Sequence, residues 1–85
     1  MLESLRIDRL LWHLRLTKSR SLAQALVAAG HVRLNGRRVE KSSVEVKTGD
    51  SVTIPDGEGA FAFQLTAIPT RRGPIAEARA CYREI

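Results

Sequence analysis

Ile7, Leu10, Leu11 and Leu14 recur at i, i+3, i+4 and i+7, the spacing of one face of an α-helix. Arg6, Arg9 and His13 cluster on another face of the same wheel, and Asp8 sits where an acid caps or complements a first turn. The pattern therefore predicts a two-sided helix, with one stripe buried and the other basic. After a break over residues 16–18, with Ser19 or Thr17 as N-cap, Leu22, Ala25, Leu26 and Ala29 repeat the helical spacing. Gly30 supplies a left-handed stop. From Val32 the period falls to two, with Val32 and Leu34 pointing one way and His31 and Arg33 the other. Asn35-Gly36 is a strong hairpin signal, from which Arg37 to Glu40 would return antiparallel. Val44 with Val46, Val52 with Ile54, and Phe61, Phe63 and Leu65 supply three further alternating runs. Pro55 to Gly59 reads as an exposed loop because it is dense in turn formers. Pro74 opens a last helix, on which Ile75, Ala78, Tyr82 and Ile85 share a face.

Helix, helix, four or five short strands, helix is the order of an α+β domain, since a parallel sheet would need helices between its strands. The expectation is two N-terminal helices packed on a small antiparallel sheet, then a short C-terminal helix. Residues 5–68 would form the main body and 69–85 a helical segment packed on it or extending from it. With 85 residues the core must be small. The single cysteine, Cys81, has no disulfide partner in the chain, which points to a reducing cytoplasm. Neither an export signal nor an apolar run of membrane-spanning length is present, so no membrane role is expected.

Charge changes the picture by its position. The chain carries +5 overall, but residues 1–41 hold nine basic residues against three acids, while residues 42–85 hold five against six. Any polyanion should therefore meet the first half. Seven of those nine are arginines, whose planar fork grips phosphate with two hydrogen bonds where lysine offers a point charge. They lie on one flank of the first helix, at the start of the second and around the hairpin.

Catalysis finds little support. No nucleophile stands beside a base in any recognised spacing, and there is no phosphate loop, GxGxxG, HExxH or GxSxG. No enzyme activity, cofactor or metal is expected. One oddity remains, the cations Lys18 and Arg20 at the start of the second helix, where the backbone dipole disfavours positive charge. An anion such as phosphate, bound at that helix start, would resolve the conflict. The alternative, two side chains extending into solvent at a cost of some tenths of a kcal/mol, stays open at this point.

The stretch RIDRLLWHLRLTKSRSLAQALVAAGHVRLNGRRV closely resembles the S4 RNA-binding domain, with its Arg-Leu-Asp-Lys start, Lys-x-Arg-Ser helix opening, Gly, and Val-x-Val-Asn-Gly hairpin. The likeness runs from residue 6 to residue 54. The tail FQLTAIPTRRGPIAEARACYREI is similar to the segment that follows this domain in the heat-shock protein 15 family, whose members typically continue into a basic extension. The resemblance implies the S4-like fold and binding to structured RNA, chiefly ribosomal RNA of the large subunit. For the family proper it further implies stalled nascent-chain tRNA as a partner after heat stress. Carried over by position, the RNA contacts are Arg6, Arg9, Arg15, Lys18, Arg20, His31, Arg33, Asn35, Arg37 and Lys41. Asp8 would order the start of the first helix. A monomer is expected.

Two other classes compete with this reading. S4 domains also occur as accessory RNA-binding parts of enzymes such as pseudouridine synthases, which need a catalytic domain in the same chain. A DNA-binding helix-turn-helix would need base-reading side chains along the middle of the second helix, where Gln24 is the main candidate. With Trp12 as the one aromatic residue in the basic half, reading of stacked bases is not expected there, and Trp12 itself is expected to pack.

Overall fold

The chain enters as a strand, β1 (Ser4–Arg6), and turns directly into the seven-residue helix α1 (Ile7–His13). This computed structural model describes residues 3–85. Helix α2 (Arg20–Ala28) follows, then β2 (Val32–Leu34), β3 (Arg37–Val39), β4 (Glu45–Lys47), β5 (Ser51–Asp56), β6 (Gly59–Leu65), α3 (Ile75–Arg79) and β7 (Tyr82–Glu84). Five strands form one antiparallel sheet in the order β3-β2-β5-β6-β7, while β1 and β4 pair in a separate two-stranded ribbon. The fold is the expected S4-like α+β arrangement.

The main sheet holds its core on one face. Val32, Val52, Ile54, Phe63 and Leu65 alternate inward and meet Ile7, Leu10 and Leu11 from α1 and Leu14 at its C-cap. These helix-side positions are the stripe the spacing singled out, and each is at most 2% exposed. The β2–β3 turn is the expected one: Asn35 and Gly36 have φ of 53° and 82°, the pair of left-handed residues a type I′ hairpin requires. A Cβ at Gly36 would meet nothing within 4 Å, so the penalty of Gly36→Ala is purely conformational. Thermal unfolding should show a loss of about 1 kcal/mol, and an unchanged midpoint would deny that the turn is specified this way.

Four expectations need correction. First, Arg6 belongs to a strand rather than to the flank of the first helix, because Leu5 is paired with Val46 and Ile7 donates to the Val44 carbonyl. Second, α2 docks through Ala23 and Val27, with Leu26 half-buried, whereas Leu22 is 53% exposed and Ala25 and Ala29 face solvent. In this alanine-rich helix the small Ala23 lets the backbone approach α1 closely, and that approach outweighs burial of a leucine. Third, residues 55–59 are no open loop. Pro55 and Asp56 continue β5, pairing with Ala60 and Gly59, and only Gly57-Glu58 turn, with Gly57 at φ 60° in the first central position. Pro55 needs no ladder donor to be accommodated at a strand end.

Fourth, the last helix stops at Arg79, and Tyr82–Glu84 is a strand on the edge of β6. Thr66 and Ala67 donate to the Cys81 carbonyl, and Ile85 donates to that of Ala62. The open edge of β6 would otherwise leave these backbone groups without protein partners, and Tyr82 gains contact with Phe61 and Phe63. Ile75 and Ile85, expected to share a helical face with Ala78 and Tyr82, are 56% and 73% exposed. Residues 69–85 lie against the body, with Arg72 donating to the Trp12 carbonyl at 3.1 Å and Arg15 to that of Gly73.

Candidate nucleic-acid interface

Asp8 is wholly buried, and it organises the basic face. Its Oδ1 accepts from the Arg9 backbone N–H at 2.8 Å and from Arg6 Nε at 3.2 Å. Its Oδ2 accepts from Arg6 Nη2 at 3.2 Å, Arg20 Nε at 3.3 Å and Gln24 Nε2 at 3.0 Å. Burial by itself would raise the carboxyl's pKa, but the hydrogen bonds from Gln24, Arg6 and the Arg9 backbone, with the charge of Arg20, hold it below the ordinary aspartate value. Asp8 is thus ionised, and it draws β1, α1 and α2 onto one point. The Asp8 N–H in turn donates to the Ser42 carbonyl at 3.4 Å, which brings the β3–β4 connection, and Lys41 with it, beside the same helix start.

Helix α2 begins at Arg20, its first turn capped by Ser19, whose Oγ accepts from the Leu22 N–H at 3.1 Å. Lys18 precedes the cap and is exposed. His13, assigned by spacing to the basic stripe, is 8% exposed instead. Burial lowers its pKa first, the Pro69 carbonyl partly offsets this, and the charges of Arg9 and Arg20 lower it further. His13 is therefore neutral, and its Nδ1 has no partner among the described residues. Trp12 is half-buried as expected, its ring lying 5.5 Å from the Arg72 guanidinium carbon.

The hairpin carries the second basic group. Arg33 stands directly opposite Arg38 across β2 and β3, a like-charge pair that disfavours the bare hairpin. Both are exposed, as are His31 and Arg37. Among the described residues Arg9, Lys18, Arg33, Arg37, Arg38 and Lys41 form no ion pair, the pairs being Arg6 and Arg20 with Asp8, and Arg71 with Glu77.

Two of the expected contact residues have side chains engaged within the fold. Asn35 spends its side chain internally, donating to Asp50 Oδ1 at 3.1 Å and accepting from the Ser51 N–H at 2.9 Å. It ties the hairpin tip to β5. Arg15, at a left-handed φ of 60°, is held by the Gly73 carbonyl and lines a cleft of about 330 Å³ with Leu16, Ile54, Phe61 and Tyr82. Spacing missed two participants. Arg38 was legible, since it and Arg33 are equidistant from the Asn35-Gly36 turn. Gln24 was not, because nothing local marks a glutamine as the partner of a carboxylate sixteen positions earlier.

Cys81 is half-buried, and burial followed by the charge of Glu77 pushes its thiol pKa up, away from the reactive thiolate. Among the described residues no cluster of three or more His, Cys, Asp or Glu could hold a metal, and no helix is long and apolar enough to cross a membrane.

Two helices locked by a buried aspartate, followed by a basic type I′ hairpin, define the class of this protein: the S4 domain model matches residues 5–52, and the chain belongs to the S4 domain family. Within it the chain is a member of the heat shock protein 15 group. It superposes on the trimeric structure of Vibrio cholerae heat shock protein 15 with a TM-score of 0.90 and 36% identity, covering 98% of this chain and 83% of that one. It is 33% identical over 79 residues to heat shock protein 15 of Escherichia coli, covering 93% of this chain, and spans 59% of that relative's length. It is also 41% identical over 72 residues to small ribosomal subunit protein uS4 of Kosmotoga olearia, covering 85% of this chain and 34% of that protein.

Proposed function

We propose that the chain is a non-catalytic RNA-binding module that recognises structured ribosomal RNA, associating with the large ribosomal subunit and its stalled nascent-chain tRNA in the heat-shock response. The observation that carries the reading is the surface around Asp8, where the Arg6 and Arg20 side chains meet on a carboxylate that is itself buried, with Arg9 and Lys41 adjoining in the chain. Kinship with heat shock protein 15 and with a ribosomal protein supports the ribosome as the place where that RNA is met. A-form RNA presents phosphates and 2′-hydroxyls to such a face, which suits a surface rich in arginine and poor in exposed aromatics. The remaining contacts are Lys18, His31, Arg33 and Arg37, joined by Arg38, with Arg15 and Asn35 at the margins. The protein acts in the cytoplasm.

A salt-titrated binding assay with a ribosomal RNA fragment and a DNA duplex of equal length tests this. RNA should bind more tightly at physiological salt, with a log–log slope of about −4 if roughly five phosphates are neutralised. Equal affinity for the two would remove the RNA reading. Cosedimentation should then favour large subunits carrying peptidyl-tRNA over empty ones, and indifference between them would remove that refinement. Sizing at the assay concentration checks the expected monomer, and a trimer, the state of the Vibrio cholerae structure, would replace it.

A further inference from the structure

Both arginines that meet Asp8 touch the same oxygen, Oδ2: Arg6 through Nη2 and Arg20 through Nε. Their nitrogens can be no further apart than those two hydrogen bonds laid end to end, although the residues come from different elements. Gln24, one helical turn beyond Arg20, donates to that oxygen too. The carboxylate is fully buried, whereas the Arg6 and Arg20 side chains are 42% and 35% exposed. Two positive charges therefore face outward against one negative charge held beneath them. Arg6 spends Nε and one Nη2 proton on Asp8 and retains its Nη1 protons, while Arg20 spends Nε and retains both terminal nitrogens.

We propose that Arg6 and Arg20 form a clip for a single RNA backbone phosphate, and that Asp8 and Gln24 are positioning residues that hold the clip open before RNA arrives. The inference rests on the RNA-binding reading above and deepens it. Arginine loses much rotamer freedom when a flexible side chain is fixed at an interface. Here that entropy is already lost in the free protein, because the guanidiniums are anchored through their Nε edges and their terminal nitrogens are left to bind. The bonds from Arg6, Arg20 and Gln24 make Oδ2 the common reference point of the clip, so loss of any one donor loosens the other two.

A binding assay with a labelled RNA stem-loop across a salt series separates the alternatives. Arg6→Gln and Arg20→Gln should each weaken binding about tenfold. Because both act on one phosphate, the double variant should fall well short of the product of the two losses and lose about one unit of salt slope. Multiplying losses with about two units lost would mean two separate phosphates and would overturn the clip. Asp8→Asn tests positioning by sign. Removing an anion beside a polyanion site should tighten binding on charge alone, whereas disordering the clip should weaken it about tenfold. Unchanged or tighter binding by a folded Asp8→Asn protein would overturn the positioning role. If that variant does not fold, Gln24→Met carries the same test, since it removes one neutral donor, and it too should bind more weakly; unchanged binding there would overturn the role equally. An unmodified protein that bound no RNA would fail the underlying reading and the clip together, whereas additive arginine losses with intact unmodified binding would fail the clip alone.

Discussion

Phe63→Ala should destabilise the domain by about 3–5 kcal/mol, the range for emptying a fully buried aromatic site. Phe63 is 0% exposed and heads the side chains that are wholly enclosed. Its ring lies 5.1 Å from that of Tyr82 and 5.8 Å from that of Phe61, and its backbone is paired with Val52 on one side and Glu84 on the other. Three strands therefore converge on one ring. A domain of this length has on the order of 4–12 kcal/mol of stability in total, so the loss would leave it marginal. Urea unfolding should show the midpoint displaced by about 3–5 M at a slope near 1 kcal/mol/M. A displacement under about 1 M would mean that the sheet collapses around the cavity, and that the core is softer than its burial suggests. RNA affinity should fall only through the folded fraction, because Phe63 is wholly buried and presents no surface to a ligand.

Replacing Asp8 with alanine should cost about 2–4 kcal/mol at neutral pH. Removing one partner of a buried ion pair typically costs 3–5 kcal/mol, but here both arginines reach water and recover part of their solvation. What water restores least is the Arg9 backbone N–H bonded to the buried carboxylate, whereas Gln24, itself exposed, regains solvent readily. The pH dependence identifies the cause. Asp8's folded pKa lies below the ordinary aspartate value, so its ionised form contributes stability that is present above that value and lost as pH falls through the folded pKa. The gap between unmodified and Asp8→Ala proteins should thus be widest near pH 7 and close as acid protonates the carboxyl. A gap that stayed constant down to pH 2 would show that Asp8 acts by packing rather than by charge.

These two residues mark how much of the molecule was legible in one dimension. The α1 stripe, the Asn35-Gly36 hairpin and the alternating runs that became β2, β5 and β6 follow from spacing, because helical and extended backbones impose periods of 3.6 and 2 on whatever must be buried. The location of excess charge was likewise a property of the chain. The α2 face was misassigned because an alanine-rich helix offers nearly equivalent faces. The C-terminal segment was misassigned because the helical spacing of Ile75, Ala78, Tyr82 and Ile85 continued past the point where helix formation lost to an open sheet edge.

The site divides in the same way. Arginines and lysines in the first half were visible as candidates, and family resemblance placed them on RNA. Which of them act together was not visible. Arg6 and Arg20 are fourteen positions apart, Gln24 is sixteen from Asp8, and Arg15 is drawn to Gly73 fifty-eight positions away. By itself the sequence determined the type of most elements, turn chemistry and the half of the chain that carries the excess positive charge, since these depend on near neighbours and on counting charges. Only the tertiary structure decided which charges share a carboxylate and which are spent internally. A hydrogen bond is satisfied by proximity in space, and the chain reaches that proximity only after its helices and sheet have packed.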